Sequence, residues 1–231
     1  MIALFDLDGT LTDPKAGITR SVQYALERLG RPVPDADELT WMIGPPLIAG
    51  FTELLGGTDD AQDAVRFYRE RYGDVGLFEN EVYSGIPALL RDLREKDVRL
   101  YVATSKLQVF ARRILDHFGL SRFFVEIYGS EPDNRNADKR DLIRHILDEE
   151  RFDPASAVMI GDRKHDAIGA KANGITSIGV TWGYGSRQEL LEAGAACLVD
   201  EPGDLEEIIA RGAFLEDTRP TSPIGKTSIS R

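Results

Sequence analysis

Asp6 and Asp8 stand one residue apart at the end of an apolar run, Ile2 to Leu7, and Gly9 and Thr10 follow them. Alternate side chains of an extended strand share a face, so the spacing puts both carboxylates on one side, with Gly9 free to turn the chain behind them. An acidic pair at a strand end is ordinarily a solvated turn. The buried character of the residues ahead of DLDGT points to chemistry instead. Three further signals sit at the ends of later apolar runs. Thr104 and Ser105 close one of them and offer a hydroxyl and a free amide suited to an anionic oxygen. Lys139 opens a helical segment, where a cation opposes the helix dipole unless an anion is close. Gly161 and Asp162 close another run and lead through Arg163, Lys164 and His165 to Asp166. Carboxylates and groups suited to an anionic oxygen are thus delivered to one place.

The elements that must position them are short apolar strands alternating with amphipathic helices. The pattern predicts strands at Ile2–Leu7, Val98–Ala103, Val125–Tyr128, Val158–Gly161, Ser177–Thr181 and Cys197–Asp200. Helices are expected between them at Ile86–Glu95, Val109–Phe118, Arg140–Glu149, Ala167–Asn173 and Arg187–Ala193, several closed by glycine. Strands alternating with helices make an α/β fold with a doubly wound parallel sheet, whose ligands lie at the carboxyl edge of the strands. After Pro14 the spacing turns helical and stays so. Ile18, Val22, Ala25, Leu26 and Leu29 mark one helix face, Pro46 opens a second helix through Leu55, and Thr58 is expected to cap a third carrying Val65, Tyr68 and Tyr72. No convincing strand interrupts this stretch. Residues 1–14 and 83–212 therefore read as the core, 15–82 as an inserted all-helical cap, and 213–231, rich in Thr, Ser and Pro, as a flexible tail.

The 231 residues carry 28 Lys and Arg against 39 Asp and Glu, a formal charge of −11 that repels polyanions. No basic run could track a phosphate backbone, so nucleic acid is not an expected partner. The single cysteine, Cys197, lies in an apolar run and reads as a small buried hydrophobe in a reducing compartment. With no basic leader ahead of the first strand and no apolar run of bilayer length, a soluble cytoplasmic protein is expected, its oligomeric state left open.

Taken together, DLDGT from Asp6, the threonine of VATSK at Thr104, the lysine of ADKRDLI at Lys139 and GDRKHD from Gly161 resemble the four motifs of the haloacid dehalogenase superfamily of phosphatases. Each motif alone is weak; their order, their strand-end placement and the helical insertion after the first make the joint match specific. The insertion resembles the small helical cap of phosphoglycolate phosphatase, phosphoglucomutase and bacterial 5′-nucleotidase members. The resemblance implies Mg²⁺-dependent hydrolysis of small phosphate monoesters through an aspartyl-phosphate. A carboxylate attacking a phosphate dianion meets repulsion of about 4 kcal/mol per unit pair at ~4 Å in a dielectric near 20, which is why a divalent cation is needed. By resemblance Asp6 is the nucleophile and Asp8 the general acid/base. Mg²⁺ is expected on the Asp6 carboxylate, the Asp8 backbone carbonyl and Asp162, with Asp166 acting from behind the ligands and Thr104, Ser105 and Lys139 holding phosphoryl oxygens.

Other signals carry less. His117, His145 and His165 lack metal-ligand spacing. Gly183, Tyr184 and Gly185 begin a dinucleotide-type glycine pattern that fails at Gln188, and the Gly225–Thr227 end of a phosphate-binding loop lacks its first glycine, Pro220 standing there instead. Trp41, Phe67, Tyr68 and Tyr72 read as core before they read as a stacking platform. A phospho-signalling receiver also combines acids, Thr and Lys on such a sheet, but it places adjacent acids on its first strand and has no counterpart of the insertion; a sugar-phosphate mutase shares the same intermediate. For substrate, the phosphoglycolate phosphatases of the family that the chain resembles usually carry Ser-Arg-Asn where it has Arg163–His165; that departure, with an apolar segment Met42–Leu47 that lacks a basic residue to pair a second anion, favours nucleoside 5′-monophosphates over phosphoglycolate.

Overall fold

In the computed structural model, residues 1–211 are described. Ile2–Phe5 forms strand β1, buried on both faces, as an uninterrupted apolar tetrapeptide must be at the centre of a parallel sheet. It is flanked by β4 (Arg99–Leu107) and β6 (Ala157–Gly161), with β5 (Glu126–Ser130) outside β4 and β7 (Thr176–Val180) and β8 (Cys197–Val199) outside β6. The order β5-β4-β1-β6-β7-β8 is parallel throughout. Strand order reverses about β1, so β1 and its two neighbours bring their carboxyl ends together at the switch point where such sheets hold ligands.

Helices α4 (Ile86–Glu95), α5 (Gln108–His117), α6 (Lys139–Glu150), α7 (Lys164–Ala172), α8 (Arg187–Ala193) and α9 (Pro202–Arg211) complete the core. One face of the sheet packs Leu4, Tyr101 and Met159 against Leu142, Ile143 and Ile146 of α6. The opposite face packs Phe5, Val102 and Ile160 into a larger cluster that runs on into the insertion.

The insertion leaves and re-enters the core through a two-stranded antiparallel ribbon, β2 (Thr12–Asp13) with β3 (Glu81–Val82). Between them lie α1 (Lys15–Arg28), α2 (Leu47–Leu55) and α3 (Ala61–Asp74), with 3-10 turns at Ala36–Met42 and Gly76–Phe78. The expectation of a stretch without strands is corrected by β3, whose two residues are too few to show a period. The expected Thr58 cap is also corrected: Asp60 precedes the first turn of α3, and the Thr58 carbonyl accepts from the Ala61 amide at 3.2 Å. Cys197 is half-buried rather than buried, since it opens β8, a strand at the edge of the sheet. The expected tail at 213–231 lies outside the described residues. Among the described residues, no helix is long and apolar enough to cross a membrane.

Candidate active site

Asp6 follows β1 directly, and its amide donates to the Ile160 carbonyl of β6 at 2.9 Å, which fixes the residue to the sheet just where the strand ends. Gly9, at φ +81°, turns the chain, and the Gly9 amide donates to the Thr12 carbonyl at 2.8 Å. A Cβ on Gly9 would lie 2.2 Å from Asp162 Oδ2, so this turn tolerates no side chain. Asp162 follows β6, and Asp166 stands in the first turn of α7, where its Oδ2 accepts the Arg163 amide at 3.1 Å. An acid in that position suits the positive end of a helix. One oxygen each of Asp6, Asp162 and Asp166 lie within 4.8 Å of one another, and all three residues are buried.

Lys139, the first residue of α6, enters this cluster. Its Nζ donates to Asp166 Oδ1 at 2.6 Å, to the Ala103 carbonyl at 2.7 Å, and lies 2.9 Å from Asp6 Oδ1. Burial alone would lower its pKa, but Asp166 and Asp6 outweigh that and hold it above the ordinary lysine value. The lysine that opens a helix against the dipole thus has the anions it requires. Asp162 has no such cation among the described residues. It accepts the Thr10 hydroxyl at 3.2 Å and the Tyr184 amide at 2.8 Å, and burial, with Asp166 and Asp6 adding to it, drives its carboxyl well above the usual carboxylate range. Asp166 is pushed up to about 6, chiefly by burial and against the pull of Lys139.

Three buried carboxylates against one ammonium leave negative charge without a partner, at a cost that a bound cation removes. The donors are all oxygen, the set a hard divalent ion such as Mg²⁺ takes. The residues therefore fit the expected metal. Asp166, expected behind the ligands, stands within the cluster itself and also holds Lys139. The Asp8 carboxylate is not among the clustered acids.

Asp8 instead faces a cation that the sequence did not single out. Lys106 Nζ lies 2.8 Å from Asp8 Oδ2, donates to the Tyr72 hydroxyl, and sits 4.4 Å from the Tyr72 ring centroid, on a side chain only 6% exposed. Burial raises the Asp8 pKa despite Lys106. Its other oxygen, Oδ1, is buried and has no partner among the described residues. The expected strand end at Thr104 is corrected as well. Pairing between β4 and β5 resumes past an irregularity, with Leu107 opposite Ser130, and this carries Lys106 inward beneath the cap. The Thr104 hydroxyl accepts the Lys106 amide at 3.3 Å, whereas the Ser105 hydroxyl is buried without a partner among the described residues.

A cavity opens over Asp6, Asp8, Thr104, Ser105 and Lys106. Its other wall comes from the cap: Met42, Gly44 to Ile48, and Tyr68, Arg69 and Tyr72 of α3, with Phe110 of α5 beside them. Of the four cap aromatics, Tyr68 and Tyr72 reach the cavity, stacked on each other at 5.1 Å between centroids, while Phe67 lies under Arg28 and Arg66. The segment Met42–Leu47 is apolar as read, but Arg69 supplies the basic residue that the segment itself lacks.

Arg163 does not face the cavity. Its Nε donates to Glu189 at 2.9 Å and its Nη1 to the Ile43 carbonyl, so it straps core to cap. His165 is half-buried, with its pKa lowered by burial and by nearby cations, and His117 and His145 pack on aromatic rings. Gly183 and Gly185 have a different task from phosphate binding. A Cβ on Gly183 would lie 2.4 Å from Asp162 Oδ2, and one on Gly185 would lie 1.9 Å from the Asp162 carbonyl oxygen. The turn after β7 is glycine-rich because it closes around Asp162.

A sequence model of haloacid dehalogenase-like hydrolases matches residues 3–180. A 5′-nucleotidase from Pseudomonas aeruginosa is 53% identical over 189 residues, covering 81% of this chain and 85% of that protein. Tyrosine-protein kinase PtkA from Mycobacterium tuberculosis is 41% identical over 207 residues, covering 90% and 70%. A crystal structure described as a predicted phosphatase from Clostridium acetobutylicum superposes with a TM-score of 0.88 at 43% identity, covering 91% of this chain and 98% of that one.

Proposed function

The chain belongs to the haloacid dehalogenase-like hydrolases and is a phosphoric monoester hydrolase, and from that premise we propose that Asp6 is its nucleophile and nucleoside 5′-monophosphates its substrates. The observation that carries the mechanism is the cluster of Asp6, Asp162 and Asp166, with the Lys139 ammonium held against Asp6 and Asp166. When bound there, Mg²⁺ supplies charge neutralisation between the attacking carboxylate and the phosphate dianion. Asp6, held by β6 and by Lys139, attacks phosphorus, and the bond to the leaving oxygen breaks. Lys139 and the unpartnered Ser105 hydroxyl offer donors to the phosphoryl oxygens. Asp8 presents its free Oδ1 to the leaving oxygen while Lys106 holds Oδ2; having given up its proton, it takes one from the water that cleaves the aspartyl-phosphate. The raised Asp8 pKa favours the protonated form that the first step needs.

Two things support the substrate reading. The cavity wall of Ile48, Leu47, Tyr68 and Phe110 suits a ribose and base, and the 53% identical relative is named a 5′-nucleotidase. A phosphomonoester panel at fixed Mg²⁺ tests it, with the highest kcat/KM expected on a nucleoside monophosphate. Phosphoglycolate or a hexose phosphate winning by tenfold, about 1.4 kcal/mol in transition-state binding, would remove the nucleotide assignment and leave the hydrolase. Phosphate release measured against substrate consumed also detects transfer to another hydroxyl, the outcome that the PtkA similarity makes worth reading.

A further inference from the structure

Helix α3 carries three arginines, and two of them are paired: Arg66 with Asp63 at 3.0 Å, Arg71 with Glu79 at 2.8 Å. The third, Arg69, lines the cavity and makes no hydrogen bond or ion pair among the described residues. In a chain with 39 acids and 28 Lys and Arg, a half-buried guanidinium without an acid needs a reason. Its Nε is shut off from solvent without a partner, and burial lowers its pKa with no carboxylate to offset the cost. Arg69 follows Tyr68 and precedes Tyr72 by three residues, so it shares the helix face that these tyrosines turn to the cavity. The other cation lining the cavity, Lys106 of β4, is already committed to Asp8 and Tyr72.

We propose that Arg69 is a specificity-determining residue that donates to an acceptor oxygen on the leaving group of the substrate. The phosphate end is served by core residues, so the cap arginine is left for what the phosphate is attached to. Two leaving groups offer that chemistry: a nucleobase carbonyl and the carboxylate of a phosphorylated acid. Both accept from a guanidinium, and neither requires Arg69 for the chemical step. The inference rests on the phosphomonoesterase reading of the cavity.

The test compares kcat/KM for UMP, phosphoglycolate and phenyl phosphate, the last having no acceptor beyond its ester oxygen. The wild-type ranking of UMP against phosphoglycolate, read first, judges the nucleotide assignment separately. Arg69→Met keeps the unbranched stem and removes the donors. It should lose kcat/KM on UMP or on phosphoglycolate by about 10- to 100-fold more than on phenyl phosphate, carried mainly by KM, and whichever of the two suffers identifies the acceptor. Arg69→Lys should recover part of that loss. An equal loss on all three esters, no loss on any, or unfolding of both variants would overturn the proposal and leave Arg69 a structural residue.

Discussion

The two walls of the cavity are built on opposite principles. On the core side, charges are buried and fixed: Asp6, which lines the cavity, and Asp162, Asp166 and Lys139, which cluster with it, are each no more than 3% exposed, and they stand at strand ends or helix starts of one sheet edge. On the cap side the wall is apolar and aromatic, comes from helices that reach the core through a two-residue ribbon, and carries Arg69 without a partner among the described residues. The core wall has no freedom to adapt, because moving one charge strands another in a low-dielectric setting. The cap wall can change its side chains without disturbing that balance. On the proposed function, chemistry belongs to the first and choice of substrate to the second.

If this division is right, the core substitutions dominate. Asp6→Asn, which keeps the shape and removes the nucleophile, should lower kcat on every ester by about 10⁴-fold or more, and excess chelator should abolish wild-type turnover in the same assay. Residual activity near wild type in either experiment breaks the core side of the comparison. Next in size, Asp8→Asn should lose about 10²- to 10⁴-fold on alkyl phosphates and recover much of it on an aryl phosphate whose leaving group needs no proton. Lys139→Ala should fail on both, since it strips the buried acids of their ammonium. Equal recovery in the two variants would merge roles that the geometry separates. The smallest effect is expected on the cap: Tyr72→Phe removes the hydroxyl that Lys106 reaches and should change KM by a few-fold, with kcat within about threefold. A loss of 10²-fold there would show that the cap wall takes part in the chemistry.

The core side was legible from sequence because Asp6 and Asp162 sit where apolar runs stop, Lys139 and Asp166 where helical patterns begin, and strand tips of a parallel sheet converge. Helices Ile86–Glu95 and Arg187–Ala193 have the bounds that their periodicity predicts, the second closed by Gly194. What was not legible depends on contacts between distant segments. Lys106 adjoins Ser105 in sequence and looks like a strand-end lysine; only the continued pairing to Leu107 turns it toward Asp8. Gly183 and Gly185 resemble half of a phosphate loop, and their crowding against Asp162 exists only in three dimensions. Arg69 is indistinguishable on its helix from Arg66 and Arg71 until their partners are seen. The ribbon β2–β3 was missed because pairs of residues have no pattern to read.

That ribbon has a consequence for how the molecule could be taken apart. Thr12 pairs with Val82 and Asp13 with Glu81, so the chain leaves for the helices and returns from them at adjacent points. The whole excursion is, to the sheet, a hairpin loop with its ends already joined. Its length adds little to the entropy of closing the core, since that cost grows only with the logarithm of loop length. A helical module of another size could be spliced in, or a tight turn substituted from Asp13 to Glu81, without redirecting a core strand. The sheet edge works as a socket, and the insertion is its exchangeable fitting.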